Sequence, residues 1–248
     1  MRRLLIRPGA IGDFIVSLPA MEALRAEYTE VWCAEQNVPL ARFADQAVSL
    51  GASGLSRLGL LPSEDVMERL RGFDSIVSWS GVGRDAMLEL GLPVTFLGAL
   101  PEVGVHATAF YNRQARELGG QPSWTPVIPC PRVTRTFAVI HPFASSVAKR
   151  APMDAFRRHG ARLGREMPVH WLAGPEEELD GAVRISDLYE LACWLAGARV
   201  YVGNDSGISH LAAAVGTPVL ALFTATKPRE WGPRGAVVES VPCVLPLS

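Results

Sequence analysis

The chain has 248 residues, of which 48% are hydrophobic and 20% charged, values typical of a soluble globular protein with room for one large core or two small ones. The formal net charge is −1, so no general positive field favours nucleic acid, and any site for an anion must be local. The four cysteines form no CxxC motif or metal-type cluster, and we expect ordinary reduced thiols.

Two apolar stretches bear on export and on membrane insertion. The N-terminal MRRLLIRP is basic and then apolar, but its apolar run is too short for a signal peptide. The apolar stretch after Ile208 contains His210, Gly216 and Pro218, so it is interpreted as a helix followed by a strand and not as a membrane span. We therefore expect a cytoplasmic protein.

Strand-like and helix-like segments alternate in the first half of the chain. Runs of β-forming residues predict strands at 3–7, 31–34, 73–79 and 94–97, and the remaining pattern predicts helices at 39–50, 62–70, 84–90 and 107–118. Ile15, Leu18 and Met21 recur at helical spacing, which predicts an amphipathic helix after the first strand. Pro19 interrupts this helix and is interpreted as the first residue of a second helical stretch after Ser17.

A proline-rich segment follows at 119–135, whose proline density excludes regular helix or sheet and predicts a linker. After it, strand-like and helix-like segments alternate again. Beyond it the pattern predicts strands at 137–141 and 169–173, helices at 153–165 and 187–195, and a strand–turn–helix–strand segment at 201–223. This organisation predicts an α/β fold of two Rossmann-like domains, residues 1–125 and 126–248, that face each other across a cleft.

Two loops that follow predicted strands carry polar residues. In the first, Gly9 and Gly12 permit a tight turn and Asp13 begins a helix, where it either serves in a site or merely caps the helix. In the second, Ser145, Ser146 and Lys149 suit phosphate oxygens, the alternative being an exposed loop with solvated cations. Lys149 and Lys227 are the only lysines in an arginine-rich chain.

The third loop lies in the segment at 201–223 and opens a helix. Asp205 or Ser206 is a good N-cap, and Gly207 lets the backbone come close to a ligand. A helix N-terminus beyond strand ends is where open α/β proteins bind phosphates. A carboxylate fits badly against a pyrophosphate, so we expect Asp205 to bind hydroxyl groups, as of a sugar, while the helix amides face the phosphate. Gly216 and Pro218 should end the helix.

These loops contain three ordered motifs: Ile11-Gly-Asp13 with Leu18-Pro19, then Lys149 with Pro152, then GNDSGISHLAAA beginning at Gly203. Together the motifs resemble glycosyltransferase family 9, the ADP-heptose:lipopolysaccharide heptosyltransferases. The resemblance implies the glycosyltransferase B-type fold and inversion at the anomeric carbon of the transferred sugar. The sequence departs from the family at Ala151, where an aromatic residue is common, and in the segment after Trp231-Gly-Pro233, which leaves the acceptor open.

The resemblance also implies roles for individual residues. Asp13 corresponds to the acidic residue that deprotonates the acceptor hydroxyl, in an acceptor-side first domain. Lys149 corresponds to the lysine near the donor pyrophosphate, the second of two catalytic residues. The donor-binding residues implied are Gly12, Ser145, Ser146, Glu176, Asp205, Ser206, Gly207 and His210. Glu176 would bind the nucleotide ribose, but two further glutamates follow it directly and leave the register open.

The resulting hypothesis is an inverting glycosyltransferase that moves a sugar, heptose being one candidate, from a nucleotide-diphosphate donor such as ADP-heptose to a hydroxyl of a glycan or lipid-linked acceptor. Lysine and helix amides can replace a metal, so we expect neither a metal nor another cofactor. A lipopolysaccharide pathway and at most peripheral contact with the inner membrane follow by analogy. The alternative is a catalytically degenerate nucleotide-sugar-binding or accessory protein.

Overall fold

The computed structural model describes residues 1–57 and 64–240. Contacts between Cα atoms divide the chain into two compact units. Unit 1 comprises Met1–Glu102 and Thr108–Trp124, and unit 2 comprises Val103–Ala107 and Thr125–Ser248. Each unit contains one five-stranded sheet in which all the pairings are parallel. The predicted α/β fold class with two Rossmann-like units is therefore confirmed.

The sheet of unit 1 has the strand order β3-β2-β1-β4-β5, which is the order of the first five strands of a Rossmann sheet. Its strands are β1 (Arg2–Arg7), β2 (Tyr28–Cys33), β3 (Gln46–Ser49), β4 (Ser75–Ser78) and β5 (Val94–Phe96). The helices before the linker are α1 (Ile11–Ala23), α2 (Leu50–Ser53), α3 (Glu64–Arg71), α4 (Arg84–Glu89) and α5 (Ala107–Glu117). The helix expected at 62–70 is thus described only from Glu64 onward, because 58–63 lie outside the described residues.

Helix α1 differs from its prediction in two ways. It is one continuous helix with Pro19 in its interior, so the expected break after Ser17 is wrong. The Ser17 hydroxyl lies within hydrogen-bond distance of the carbonyl oxygens of Asp13 (3.0 Å) and Phe14 (2.8 Å). These contacts stabilise the helical turn that precedes Pro19. The eight residues from Phe14 to Met21 are all buried, so the helix is enclosed on every side and not amphipathic.

The helix predicted at 39–50 is also wrong. Glu35–Leu40 forms a 3₁₀ helix that contains Pro39, and Gln46–Ser49 forms the edge strand β3. This strand pairs in parallel with Glu30–Cys33 of β2, and the Asp45 carboxylate accepts a hydrogen bond from the Thr29 backbone N–H at 2.8 Å. Pairing with the sheet edge satisfies backbone groups that a proline-containing helix would leave unpaired, and it overrides local helical preference.

The sheet of unit 2 has the order β10-β9-β8-β6-β7, which is the flavodoxin-like order. Its strands are β6 (Phe137–His141), β7 (Val169–Trp171), β8 (Ala198–Asn204), β9 (Val219–Phe223) and β10 (Val237–Ser240). Its helices are α6 (Met153–Leu163), α7 (Leu188–Ala196), α8 (Gly207–Ala214) and α9 (Pro228–Trp231). Neither α9 nor β10 was predicted from the sequence.

Local signals in unit 2 were sufficient to place most of these elements. Ser206 is the N-cap of α8, and its hydroxyl accepts a hydrogen bond from the Ser209 backbone N–H. Gly216, with φ of +77°, follows the end of the helix as predicted. The predicted linker at 119–135 contains no helix or strand. Each unit has its own apolar cluster around the central strands, for example Leu4, Trp32 and Ile76 in unit 1 and Ile140, Phe156 and Val202 in unit 2.

Candidate active site

Strand order determines where each unit can hold a ligand. In parallel sheets of these two orders, ligands bind beyond the carboxyl ends of the strands, at the point where the chain changes its direction of travel across the sheet. That point lies between β1 and β4 in unit 1 and between β6 and β8 in unit 2. The loops after β1, β6 and β8 are the three polar loops that the sequence analysis selected.

In unit 2, a buried asparagine holds the loops after β6 and β8 together. Asn204, at the end of β8, is 0% exposed. Its side-chain oxygen accepts a hydrogen bond from the Ala151 backbone N–H at 2.8 Å, and its side-chain nitrogen donates to the Pro142 carbonyl at 2.8 Å. Both bonds lie in a buried setting, where an unsatisfied amide would be costly. Asn204 therefore sets the course of the segment that contains Lys149.

The centre of the candidate site is an ion pair between two predicted residues. The Lys149 ammonium lies 2.9 Å from the carboxylate of Asp205, whose side chain is 5% exposed. Asp205 also accepts a hydrogen bond from the hydroxyl of Thr226, in the loop after β9. A lysine ammonium carries three donors, so the bond to Asp205 is compatible with further bonds to a ligand. The pair thus places an orientable positive charge at the carboxyl edge of the sheet.

The N-terminus of α8 lies directly after this pair in the chain. Ser206 is the N-cap, and its carbonyl and hydroxyl oxygens accept from the Ser209 backbone N–H, which leaves the backbone N–H groups of Gly207 and Ile208 without a carbonyl partner within the helix. They add the positive end of the helix dipole to the charge of Lys149, an arrangement suited to phosphate. His210, one turn further on, is 6% exposed and buried in the structure, whereas Ser145 and Ser146 are exposed on the loop after β6.

The structure distinguishes the glutamates that follow β7. Glu176 is exposed, whereas the side chain of Glu177 is 24% exposed and makes two contacts at the strand ends. Its carboxylate accepts hydrogen bonds from the Gly174 backbone N–H at 2.6 Å and from the Nε2 atom of His141 at 3.0 Å. The other ring nitrogen of His141 lies 3.2 Å from the hydroxyl of buried Tyr201. Geometry therefore favours Glu177 over Glu176 as the carboxylate directed at the site.

These contacts change the acidity of Glu177. Burial raises the pKa of its carboxyl group, but hydrogen bonds from His141 and from the Gly174 backbone N–H lower the pKa more, so the net direction is downward. A carboxylate whose pKa is lower in the folded protein stabilises the fold above its ordinary pKa of about 4.3. That stabilisation is lost as the pH falls through the lower, folded value.

We predict that Glu177→Gln lowers the free energy of unfolding near neutral pH by about 1–2 kcal/mol, a loss of roughly 3–6 °C in Tm. The difference from wild type should shrink between about pH 4 and pH 3, because wild type then loses the same contribution. Thermal melts across this range measure it. Glu176→Gln is the matched control, with an expected Tm change of about 1 °C or less. Equal melting of wild type and Glu177→Gln at neutral pH would contradict the assignment.

In unit 1, the loop after β1 presents Gly12 and Asp13 in the first turn of α1. The Asp13 carboxylate accepts a hydrogen bond from the Ala10 backbone N–H at 3.2 Å, so it caps the helix as the simpler interpretation expected. Gly9 has φ of +120°, and a Cβ atom there would lie 2.9 Å from Cβ of Asp13. A glycine is therefore required for the loop to pass so close to the carboxylate.

A buried arginine is hydrogen-bonded to this loop. Arg7 is 2% exposed, and its guanidinium donates to the carbonyl oxygens of Pro8 (2.7 Å) and Asp13 (2.9 Å) and to the hydroxyls of Ser17 (2.9 Å) and Tyr111 (2.9 Å). Burial lowers the pKa of Arg7, and the negative charge of Asp13 partly offsets this effect. Arg7 therefore fixes the start of α1 and contributes a positive charge near the Asp13 carboxylate.

Within 1–57 and 64–240, no group of three or more histidine, cysteine, aspartate or glutamate side chains is arranged to hold a metal ion. Over the same ranges, no helix combines the length and the apolar character needed to cross a bilayer.

Comparison with known proteins decides the family. Residues 105–243, more than half of the chain, match the family model of glycosyltransferase family 9 (heptosyltransferase). The chain belongs to glycosyltransferase family 9. The protein is therefore a heptosyltransferase-like glycosyltransferase. The family match contains Lys149, Asp205 and the start of α8, whereas Asp13 lies outside it.

Solved structures of similar proteins share the fold. A family 9 glycosyltransferase from Veillonella parvula is 17% identical with a TM-score of 0.78, and the alignment covers 97% of this chain and 86% of that one. E. coli heptosyltransferase WaaC with ADP is 17% identical with a TM-score of 0.72, covering 98% and 94%. E. coli ADP-heptose LPS heptosyltransferase II is 19% identical with a TM-score of 0.72, covering 96% and 90%. Among curated proteins, no match was found.

Several residues of this candidate site were not singled out from the sequence. Asn204 lies inside the recognised motif, but nothing in its spacing shows that its side chain binds another loop. Glu177 differs from Glu176 by one position, and a loop has no periodicity that would tell which of them points inward. Arg7 ends a strand like many surface arginines, and only the packing of α5 against it reveals its burial.

Proposed function

We propose that the protein is an inverting glycosyltransferase that moves a sugar from a nucleotide-diphosphate donor to a hydroxyl of a glycan or lipid-linked acceptor. ADP-heptose is the candidate donor, since WaaC has been solved with ADP and with ADP-2-deoxy-2-fluoro heptose. Lipopolysaccharide biosynthesis, a cytoplasmic location and peripheral contact with the inner membrane belong to the same proposal.

The observation that carries this proposal is the Lys149–Asp205 pair beside the N-terminus of α8. The departing nucleoside diphosphate gains negative charge as the glycosidic bond breaks. An ammonium and a set of helix amides stabilise that charge without a metal, and they are already oriented before the ligand binds. Asp205, held by Lys149 and Thr226, is acceptor-only as a carboxylate and therefore suits sugar hydroxyls rather than phosphate oxygens.

Glu177 is assigned to the nucleotide ribose in this proposal, in place of Glu176. Its carboxylate lies at the ends of β6 and β7 and is held by a backbone N–H and by His141, which leaves acceptor capacity for a ribose hydroxyl. The exposed serines Ser145 and Ser146 can donate to phosphate oxygens from the same side of the sheet as Lys149. Gly207 and His210 belong to the donor loop in the same proposal.

Inversion requires a base for the acceptor hydroxyl, and unit 1 supplies Asp13. Its carboxylate lies in the first turn of α1, and a carboxylate is a group that can accept the proton of a hydroxyl. One carboxylate oxygen accepts from the Ala10 backbone N–H, which orients the group. A carboxylate accepts several hydrogen bonds at once, so this contact is compatible with a bond from an acceptor hydroxyl.

The proposal is tested by titrating ADP, ADP-heptose and other nucleotide sugars calorimetrically into the purified protein, and by assaying release of the nucleotide with a panel of lipid and glycan acceptors. We expect ADP and an ADP-sugar to bind, and turnover to require an acceptor. Binding of a donor without turnover across the whole panel would favour the alternative of a catalytically degenerate binding protein. Failure of every nucleotide and nucleotide sugar to bind would overturn the proposed site.

A further inference from the structure

One buried side chain joins the loop of Asp13 to the segment after the neighbouring strand of unit 1. Asn37 lies in the 3₁₀ helix Glu35–Leu40, which follows β2, and is 0% exposed. Its Nδ2 atom donates a hydrogen bond to the carbonyl oxygen of Gly9 at 3.1 Å. Strands β1 and β2 are parallel neighbours, so the segments after their carboxyl ends lie side by side. Asn37 therefore contacts the loop after β1 although it is 28 positions away in sequence.

Gly9 connects Asn37 to the carboxylate of Asp13. A Cβ atom on Gly9 would lie 2.9 Å from Cβ of Asp13 and 3.4 Å from its Oδ2 atom, so the backbone of Gly9 packs directly against that side chain. The next residue, Ala10, donates its backbone N–H to the same Oδ2 atom at 3.2 Å. A shift of Gly9 would therefore move both the backbone that packs on the carboxylate and the N–H group that orients it.

The other polar atom of the Asn37 side chain has no hydrogen-bond partner. Its Oδ1 atom is buried, and nothing within residues 1–57 and 64–240 donates to it. The bond to Gly9 fixes which way the amide points, since the reverse orientation would set two oxygen atoms against each other. A buried acceptor without a partner costs stability, and such a cost is expected where a side chain serves the geometry of a site.

We propose that Asn37 is a positioning residue for the acceptor base: through Gly9 it holds the carboxylate of Asp13 in the orientation that proton transfer requires. This role rests on the proposed function, because Asn37 acts only through Asp13. A base must lie within hydrogen-bond reach of the proton it takes, and a displacement of about 1 Å can cost about a hundredfold in rate. Arg7 binds the carbonyl oxygens of Pro8 and Asp13, and Asn37 binds that of Gly9, so two buried side chains hold the loop.

Asn112 is a matched control for Asn37. It is also 0% exposed in unit 1, its Nδ2 atom donates to the Ser123 carbonyl at 2.8 Å, and its Oδ1 atom likewise has no partner in the described ranges. Its bond does not involve the loop of Asp13. Asn37→Ala and Asn112→Ala should each lower Tm by about 3–6 °C, because each loses one buried hydrogen bond and leaves a cavity.

The kinetic test uses the nucleotide sugar and the acceptor that wild type turns over. Asn37→Ala should lower kcat about 30-fold while the acceptor KM and the affinity for ADP stay within about threefold, and Asn112→Ala should keep kcat near the wild-type value. In an Asp13→Asn background, Asn37→Ala should cause no further loss, because the carboxylate that it positions is already absent. An equal fractional loss in both backgrounds, or a kcat within about threefold of wild type, would overturn the proposal.

Amide hydrogen exchange of Ala10 tests the same contact without any sugar transfer. The bond to Asp13 protects the Ala10 N–H, so its exchange rate, measured by NMR, reports the geometry of the carboxylate. We expect exchange about tenfold faster in Asn37→Ala and within about twofold of wild type in Asn112→Ala. Asn37→Leu keeps a similar volume and removes both polar atoms, so it should retain the fold and show the same faster exchange.

The two measurements separate this role from the proposed function. Unchanged exchange of the Ala10 amide in both Asn37 variants would overturn the positioning role alone. A wild type that transfers no sugar to any acceptor would count against the proposed function, whatever the exchange rates.

Discussion

Asp13→Asn is expected to reduce the rate of sugar transfer by about a thousandfold while leaving the affinity for ADP unchanged. Asparagine is close in shape to aspartate, and its side-chain oxygen can still accept the hydrogen bond from the Ala10 backbone N–H. It cannot take the proton of an acceptor hydroxyl, and loss of a general base costs about 10²–10⁴ in rate. Steady-state kinetics and calorimetric titration with ADP measure the two quantities separately.

Two control variants distinguish chemistry from folding. Asp13→Ala removes the cap as well as the base, so it should lose transfer and also about 1 kcal/mol of stability, whereas Asp13→Asn should lose transfer alone. Asp74→Asn makes the same change in a carboxylate that accepts from the Arg2 backbone N–H at the amino end of β1, and it should keep transfer near the wild-type rate. A rate within about threefold of wild type for Asp13→Asn would remove the base role from Asp13.

Lys149→Met is expected to weaken binding of ADP by about 30-fold, equivalent to about 2 kcal/mol. Methionine keeps the apolar stem but removes the ammonium that we assign to the diphosphate, and a charge-assisted hydrogen bond contributes in this range. Added salt should also weaken ADP binding more steeply in wild type than in Lys149→Met, because the variant lacks one positive charge that attracts the diphosphate. Calorimetry at two salt concentrations measures both effects.

Arg199→Ala is the matched charge control for Lys149. Arg199 is exposed near the amino end of β8, the edge of the sheet opposite to the candidate site, and its loss changes the net charge by the same amount. Its ADP affinity should stay within about twofold of wild type. Similar weakening in both variants would mean that the ligand responds to the general charge of unit 2, and unchanged affinity in Lys149→Met would exclude Lys149 from the donor site.

Much of the fold could be predicted because its signals are local. Strand β6 was predicted at the residues where it is observed. Ser206 and Gly216 mark the two ends of α8, and their capping roles depend only on neighbouring positions in the chain. Strand β3 could not be predicted in this way. Its four residues form a strand because the edge of β2 offers backbone partners, and that partner lies outside any local window.

The candidate site likewise has features that local signals predict and features that depend on contacts between distant segments. Lys149 and Asp205 could be proposed from their types and from their positions after predicted strands, since the carboxyl ends of parallel strands meet at one edge of a sheet. That they bind each other at 2.9 Å depends on β6 lying directly beside β8, which is a property of strand order. The choice of Glu177 over Glu176 likewise depends on where His141 and Gly174 place their donors.

The sequence by itself determined the α/β class, the three polar loops and the family resemblance, because each depends on residue types at short spacing. Only the tertiary structure decided which of those polar groups are paired and which are buried. Arg7 and Tyr111, for example, are 104 positions apart in sequence, yet the Arg7 guanidinium donates a hydrogen bond to the Tyr111 hydroxyl at 2.9 Å. Such contacts depend on packing between distant segments, and composition and periodicity carry no record of that packing.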